Sequence, residues 1–209
     1  MAVKPFAVKG RDITSPKGKA MWCKVKEPDF EYNDKGMYST NLVCDPNEPA
    51  VKQFIASLEE IRDIALAETK ETLGVKGEKY VARDVFTEEE DREGNATGNI
   101  IFKFKMNNVA DRTASGNSDK IFVVDAKRNP MNELPLVGNG SEIRCVAFAN
   151  PYTAPNTKEV GISLIWTKMQ IIKLVEYSKG GSADEFEEED GYANETAAAS
   201  ADFDEEDDF

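Results

Sequence analysis

NIIFKFKM, residues 99–106, sets Phe102, Phe104 and Met106 on one side of an extended chain and Ile101, Lys103 and Lys105 on the other. A period of two is the mark of a strand that buries one face and wets the other. The same alternation recurs outward from this stretch. Lys19 to Lys26 (KAMWCKVK) sets Met21, Cys23 and Val25 against Trp22, Lys24 and Lys26. Tyr38 to Cys44 follows the turn Asn33-Asp34-Lys35-Gly36, and Lys120 to Asp125, Glu142 to Phe148 and Val160 to Tyr177 read as further strands. One helix is expected, opening after Pro46-Asn47-Glu48-Pro49 and ending near Leu73-Gly74. Over that span Phe54, Ile55, Leu58, Ile61, Ala65 and Leu66 keep the rhythm of a single apolar face.

Five or six short strands and one packed helix make a mainly β chain. They fit a five-stranded barrel of the oligonucleotide-binding (OB) type, with the helix inserted earlier than its usual place between the third and fourth strands. Residues 1–177 form the expected domain and 178–182 (SKGGS) a flexible linker. The expected disordered tail, 183–209, is too poor in apolar residues to build a core.

Charge separates along the same boundary. The formal net charge is -13, and 13 of the 39 acidic residues lie in 183–209, which has no Lys or Arg. The remaining 26 acids balance the 26 bases of residues 1–182. Within that body, residues 1–26 and 95–182 are net basic and 27–94 net acidic, so the low overall pI conceals two basic segments. The three cysteines, Cys23, Cys44 and Cys145, fall in apolar strand-like stretches without a CxxC spacing, as buried reduced thiols do. Neither a signal peptide nor a membrane-spanning apolar run is recognised.

Catalytic chemistry is sparsely represented. There is no histidine, and neither phosphate-cradling glycine motif occurs. The lone GxG of Val137-Gly138-Asn139-Gly140-Ser141 reads as a turn between strands. The densest carboxylates lie in loop-like sequence, so neither catalytic nor metal-binding residues are assigned, and no cofactor is expected. Aromatic residues interleaved with bases are the stronger signal. Trp22, Lys24 and Lys26 share one face, Lys103 and Lys105 another, and Arg144 alternates in phase with Phe148. Single-stranded nucleic acid is held by such sets, bases stacking on rings while cations track the phosphates. A sheet with one lysine-decorated solvated face accounts for each strand equally well. Two polar connections, 107–119 and 150–159, are placed where loops flank the binding face of an OB barrel. The second holds Tyr152 beside Pro151, either as a stacking ring or as a cover for the barrel end.

The tail ends Phe203-Asp204-Glu205-Glu206-Asp207-Asp208-Phe209. A solubilising tail gains nothing from two exposed rings, whereas a peptide docking on a basic, apolar-floored partner needs both charges and an anchor. Tethered carboxylates also compete with phosphates for a basic groove.

These residues together resemble the single-stranded DNA-binding proteins of short-tailed bacteriophages. The matching pieces, in order, are Glu27-Pro28-Asp29-Phe30 with Gly36-Met37-Tyr38 and Leu42, then Phe102-Lys103-Phe104-Lys105, then Val123-Val124-Asp125-Ala126-Lys127. After them come Pro135 to Ser141, Pro151-Tyr152, Lys173-Leu174-Val175-Glu176 and the acidic tail closing on Phe. The resemblance implies an OB barrel with an early helix, sequence-independent binding of single-stranded DNA, a homodimer and strand annealing in phage DNA replication and recombination. It also implies contacts of the tail with the phage DNA polymerase and helicase-primase, in the cytoplasm of the infected bacterial host and with no membrane partner. Of the family's DNA contacts it places Tyr152, and Lys103 and Lys105 beside it. The segment after Tyr152 lacks the tryptophan expected nearby, leaving Trp22 and Trp166 as the chain's two indoles. Two alternatives stay open: an acidic-tailed chaperone or adaptor for basic proteins, and a metal-dependent nuclease using Asp84, Asp111 and Asp125.

Overall fold

Five strands with one apolar face each can hide those faces from water by curling until the last meets the first, and this chain does so. The computed structural model describes residues 10–31, 34–108 and 120–176. In chain order its elements are β1 (Arg11–Thr14), β2 (Gly18–Asp29), β3 (Met37–Cys44), α1 (Pro49–Leu73), β4 (Val81–Ala82), β5 (Thr87–Glu90), β6 (Ala96–Asn107), β7 (Phe122–Val124), β8 (Glu142–Ala154) and β9 (Glu159–Lys173). β2 pairs with β3, β3 with β6 and β9 with β8, all antiparallel, and β6 runs parallel to β9. Gly18↔Ile143 and Lys19↔Glu142 tie β2 back to β8 and close the ring. The order β2-β3-β6-β9-β8 is the connectivity of an OB barrel.

Leu42, Phe102, Phe104, Ile143, Cys145, Trp166 and Met169 fill the interior. The indole N–H of Trp166 donates to the Lys168 carbonyl at 3.0 Å, so the ring is buried without an orphan donor. α1 opens on Pro49 and stops at Gly74, whose φ of 57° suits a residue without Cβ. Its buried face, Val51, Phe54, Leu58, Ile61 and Ala65, follows the expected periodicity, with Ile55 and Leu66 half-buried at its edges. The Phe54 ring meets the Phe102 ring edge-on at 4.9 Å, which joins the helix to the barrel floor. No helix among the described residues is long and apolar enough to cross a membrane.

Three expectations change. Strict alternation put Met21 inside with Cys23 and Val25. Met21 instead pairs with Asn41 and Lys24 with Ser39, so three residues of β2 face two of β3, and Met21 lies on the outer face. That bulge at Trp22 keeps the indole out of the core. The connection placed at 150–159 is mostly strand, since β8 continues through Pro151 to Ala154. Among the described residues pairing with β1 ends at Ala149, so none of them on that edge requires a Pro151 N–H. The final strand ends at Lys173 rather than Tyr177. The short strands β1, β4 and β5 carried too few residues to show a period. The linker 178–182, the tail 183–209 and most of the 107–119 connection lie outside the described residues.

All three thiols are free; Cys23 is half-buried, Cys44 and Cys145 fully. Burial pushes Cys23 up to about 11, Cys44 to about 12 and Cys145 well above its ordinary value. At neutral pH they are neutral, weakly nucleophilic packing groups.

Candidate nucleic-acid interface

Because Phe102, Phe104 and Met106 hold the inner side of β6 in the core, Ile101, Lys103 and Lys105 must face outward, and both lysines are exposed. β6 changes neighbours along its length. At Ile101 it pairs with Thr87 of β5, and at Phe104 and Lys105 with Leu164 and Ile165 of β9. Where the neighbours change, a groove of about 520 Å³ opens. β6 gives it Ile101, Lys103 and Lys105, β9 gives Ile162, Ser163 and Leu164, β8 gives Asn150 and Tyr152, and residues 83–87 form the opposite wall.

Tyr152 owes its position to Gly161, its register partner on β9. A Cβ on Gly161 would stand 2.8 Å from the ring carbon Cζ and from the hydroxyl oxygen, so the ring lies directly over bare backbone. The wall is fixed from two sides. Arg62, buried on α1, donates from Nη1 to the Arg83 carbonyl at 3.2 Å, while its Nε reaches Asp63 at 2.8 Å. The Arg83 N–H donates to the Val160 carbonyl at 2.9 Å, and its guanidinium lies 3.6 Å from Glu159. Phe86 stands 6.4 Å from Phe102, ring to ring.

Register carries the basic strip beyond the groove. Lys24, Ser39, Lys105, Ile165, Phe148 and Asp12 are successive partners across β2, β3, β6, β9, β8 and β1. Lys24 therefore lies on the face of Lys105, two strand spacings or about 10 Å away. Chemically, the surface offers ammonium groups at strand spacing and a supported phenol ring. It suits a flexible polyanion that also presents flat π faces.

A sequence profile of the family described as single-stranded DNA-binding protein of bacteriophage T7 matches residues 17–176. The chain belongs to this phage single-stranded DNA-binding protein family. The single-stranded DNA-binding protein of Escherichia phage T7 is 24% identical over 188 residues, spanning 83% of this chain and 78% of that one. The crystal structure of gp2.5, encoded by bacteriophage T7, superposes with a TM-score of 0.66 at 21% identity, over 88% of this chain and 99% of that chain. The single-stranded DNA-binding protein of bacteriophage Enc34 in complex with ssDNA gives 0.47 at 14% identity, over 79% and 88%.

Of the residues singled out from sequence, the groove of this family member collects Lys103, Lys105 and Tyr152. Lys24, Lys26 and Trp22 lie on β2 outside it, all exposed. Phe148 shares the outward face, but its ring packs where a Cβ on Gly10 would come within 2.6 Å, so part of it is covered by the chain's own backbone. Arg144 is eight residues from Tyr152 along β8, about 26 Å at strand rise, beside Gln170. The structure does not bring it to the groove. Trp166 is core and does not replace the missing tryptophan. The tail residues Phe203 to Phe209 and Asp111 lie outside the described residues. Asp84 lines the groove, whereas Asp125 closes its own turn by accepting from the Asn129 side chain and from the Lys127 and Asn129 N–H groups, which hold its carboxyl below its ordinary value.

Arg83 and Phe86 were not found from sequence. They sit in a connection that reads as acidic, and their place depends on a two-residue parallel pairing, Val81↔Glu159 and Ala82↔Val160. So short a pairing between segments so far apart leaves no periodic signal.

Proposed function

We propose that the chain coats single-stranded DNA without sequence preference in phage DNA replication and recombination, as a homodimer in the cytoplasm of the infected bacterial host. In this reading it aids strand annealing and recruits the phage DNA polymerase and helicase-primase through Phe203–Phe209. The observation that carries it is the groove, where Lys103 and Lys105 are set to meet phosphates and Tyr152 to receive a base, in a member of this family. Thirteen tail carboxylates would occupy the basic strip when no DNA is present.

The test is a titration of labelled oligo(dT) with full-length protein and with a 1–182 truncation across a salt series. Both should bind, the truncation more tightly. If about four phosphates are neutralised, log K should fall with log salt at a slope near -3. Failure of both forms to bind would overturn the DNA reading. Tighter DNA binding by the truncation with all partner binding gone is expected here, whereas an intact tail active on basic proteins without any oligo(dT) binding would favour the chaperone or adaptor alternative.

The seat of Tyr152 gives a second expected result. Tyr152→Ala should weaken oligo(dT) binding by about 1–3 kcal/mol, the usual loss for one stacked ring. Gly161→Ala should fold, because its new Cβ meets the movable end of a side chain, yet it should displace the ring and lose part of the same affinity. The double variant should bind no worse than Tyr152→Ala alone. Full additivity in that cycle would show that Gly161 does not act through Tyr152.

A further inference from the structure

Trp22 is 65% exposed and has a φ of 54°, a conformation that a bulky side chain adopts only under strain. Its backbone N–H donates to Asn139 Oδ1 at 2.8 Å, a side chain 117 residues away that reaches over from the turn before β8. Three features thus hold one large ring in water: the bulge between Met21 and Lys24, a left-handed backbone, and a side-chain acceptor from another part of the fold. Strain kept at an exposed aromatic points to use of that ring rather than to packing.

The surroundings indicate what it meets. From Ile13 to Lys26 there are four lysines and no acidic residue. Lys24, two positions on, is joined by register through Ser39 to Lys105 at the groove. Trp22 therefore stands at the far end of the basic strip that starts at Tyr152. Four strand spacings separate the two rings, about 19 Å along the barrel surface. A protein surface or membrane would need a wide apolar area around the ring, whereas Lys24 and Lys26 stand exposed further along the same strand.

We infer that Trp22 is a second base-stacking platform, held in position by Asn139, and that bound single-stranded DNA crosses β9, β6, β3 and β2 from Tyr152 to reach it. This rests on the DNA-binding reading above. Trp22 stacks on a base by its indole face, and Lys24 meets the adjoining phosphate. Asn139 touches no DNA; it is a positioning residue that fixes the bulge.

The decisive variant is Trp22→Gly in the full-length chain. Glycine adopts positive φ freely, so the thermal midpoint should stay the same or rise, while affinity for labelled oligo(dT) of about 12 nucleotides should fall about tenfold, within the ~5- to 150-fold span of one lost stack. With Trp166 buried, the fluorescence change on adding oligo(dT) to the wild-type protein should come from Trp22. Asn139→Ala should shrink that change at saturating oligo(dT), and Asn139→Asp, which keeps an acceptor oxygen, should restore it. Wild-type binding with Trp22→Gly within twofold of it would overturn this inference and leave the DNA-binding reading standing. A Trp22→Gly variant that binds oligo(dT) normally but dissociates into monomers would assign the ring to a protein interface instead. No binding by wild-type protein would overturn both.

Discussion

Replacing Lys103 and Lys105 together by alanine is expected to weaken oligo(dT) binding about 25-fold near 0.1 M salt and to flatten the salt slope by about 1.4. Each phosphate contact to a single strand adds about 0.7 to that slope, so at 0.1 M each is worth roughly fivefold in affinity. The fold should be untouched, because both ammonium groups are exposed and the inner side of β6 is made by other residues. Geometry also supplies the control. Arg144 belongs to the same outward face of β8, yet it lies about 26 Å along the strand from Tyr152. Arg144→Ala should therefore cost less than either lysine alone. Equal losses for Arg144 and Lys103 would mean that the strand follows β8 lengthwise and that the groove is not its path. Fluorescence anisotropy over a salt series measures affinity and slope in the same experiment.

Phe102→Ala is expected to cost about 3–5 kcal/mol of stability, enough to lower the melting temperature by roughly 6–20 °C in a chain of this size. The side chain is fully buried and meets both Phe54 of α1 and Phe86 of the groove wall edge-on. Truncation would leave a cavity where the helix, barrel floor and wall converge, and rigid neighbours on three sides cannot collapse into it. Urea and thermal unfolding would read the loss directly. A loss below about 1 kcal/mol would show that the helix and the 83–87 wall are not fastened through this ring. The fraction that remains folded should also bind oligo(dT) less tightly, since Phe86 would lose its support.

The architecture was legible in particular residues. Phe102, Phe104 and Met106 face the core and Lys103 and Lys105 face water because a strand's period is two, and nothing else in the fold competes with that. The helix face at Phe54, Leu58, Ile61 and Ala65 is legible for the same reason at a period near 3.6. Periodicity fails where the backbone departs from regularity: one extra residue at Trp22 reverses Met21 to the outer face, and no local pattern announces it. Tyr152 could be named from sequence but not seated, because its support is Gly161, nine residues on and across a hairpin whose length was underestimated.

By itself, then, the sequence determined the longer strands, which way most of their side chains face, where the helix runs and that the uncompensated negative charge lies in residues 183–209. These follow from short-range periodicity and composition. Tertiary structure alone decided which outward faces meet. It placed Lys103, Lys105 and Tyr152 in one groove, brought Arg83 and Phe86 to its wall, sent Arg144 to the other end of β8 and held Trp22 out through Asn139. Those outcomes depend on the closure of the barrel and on pairings between residues more than 50 positions apart, such as Lys105↔Ile165, for which a linear chain carries no local physical signal.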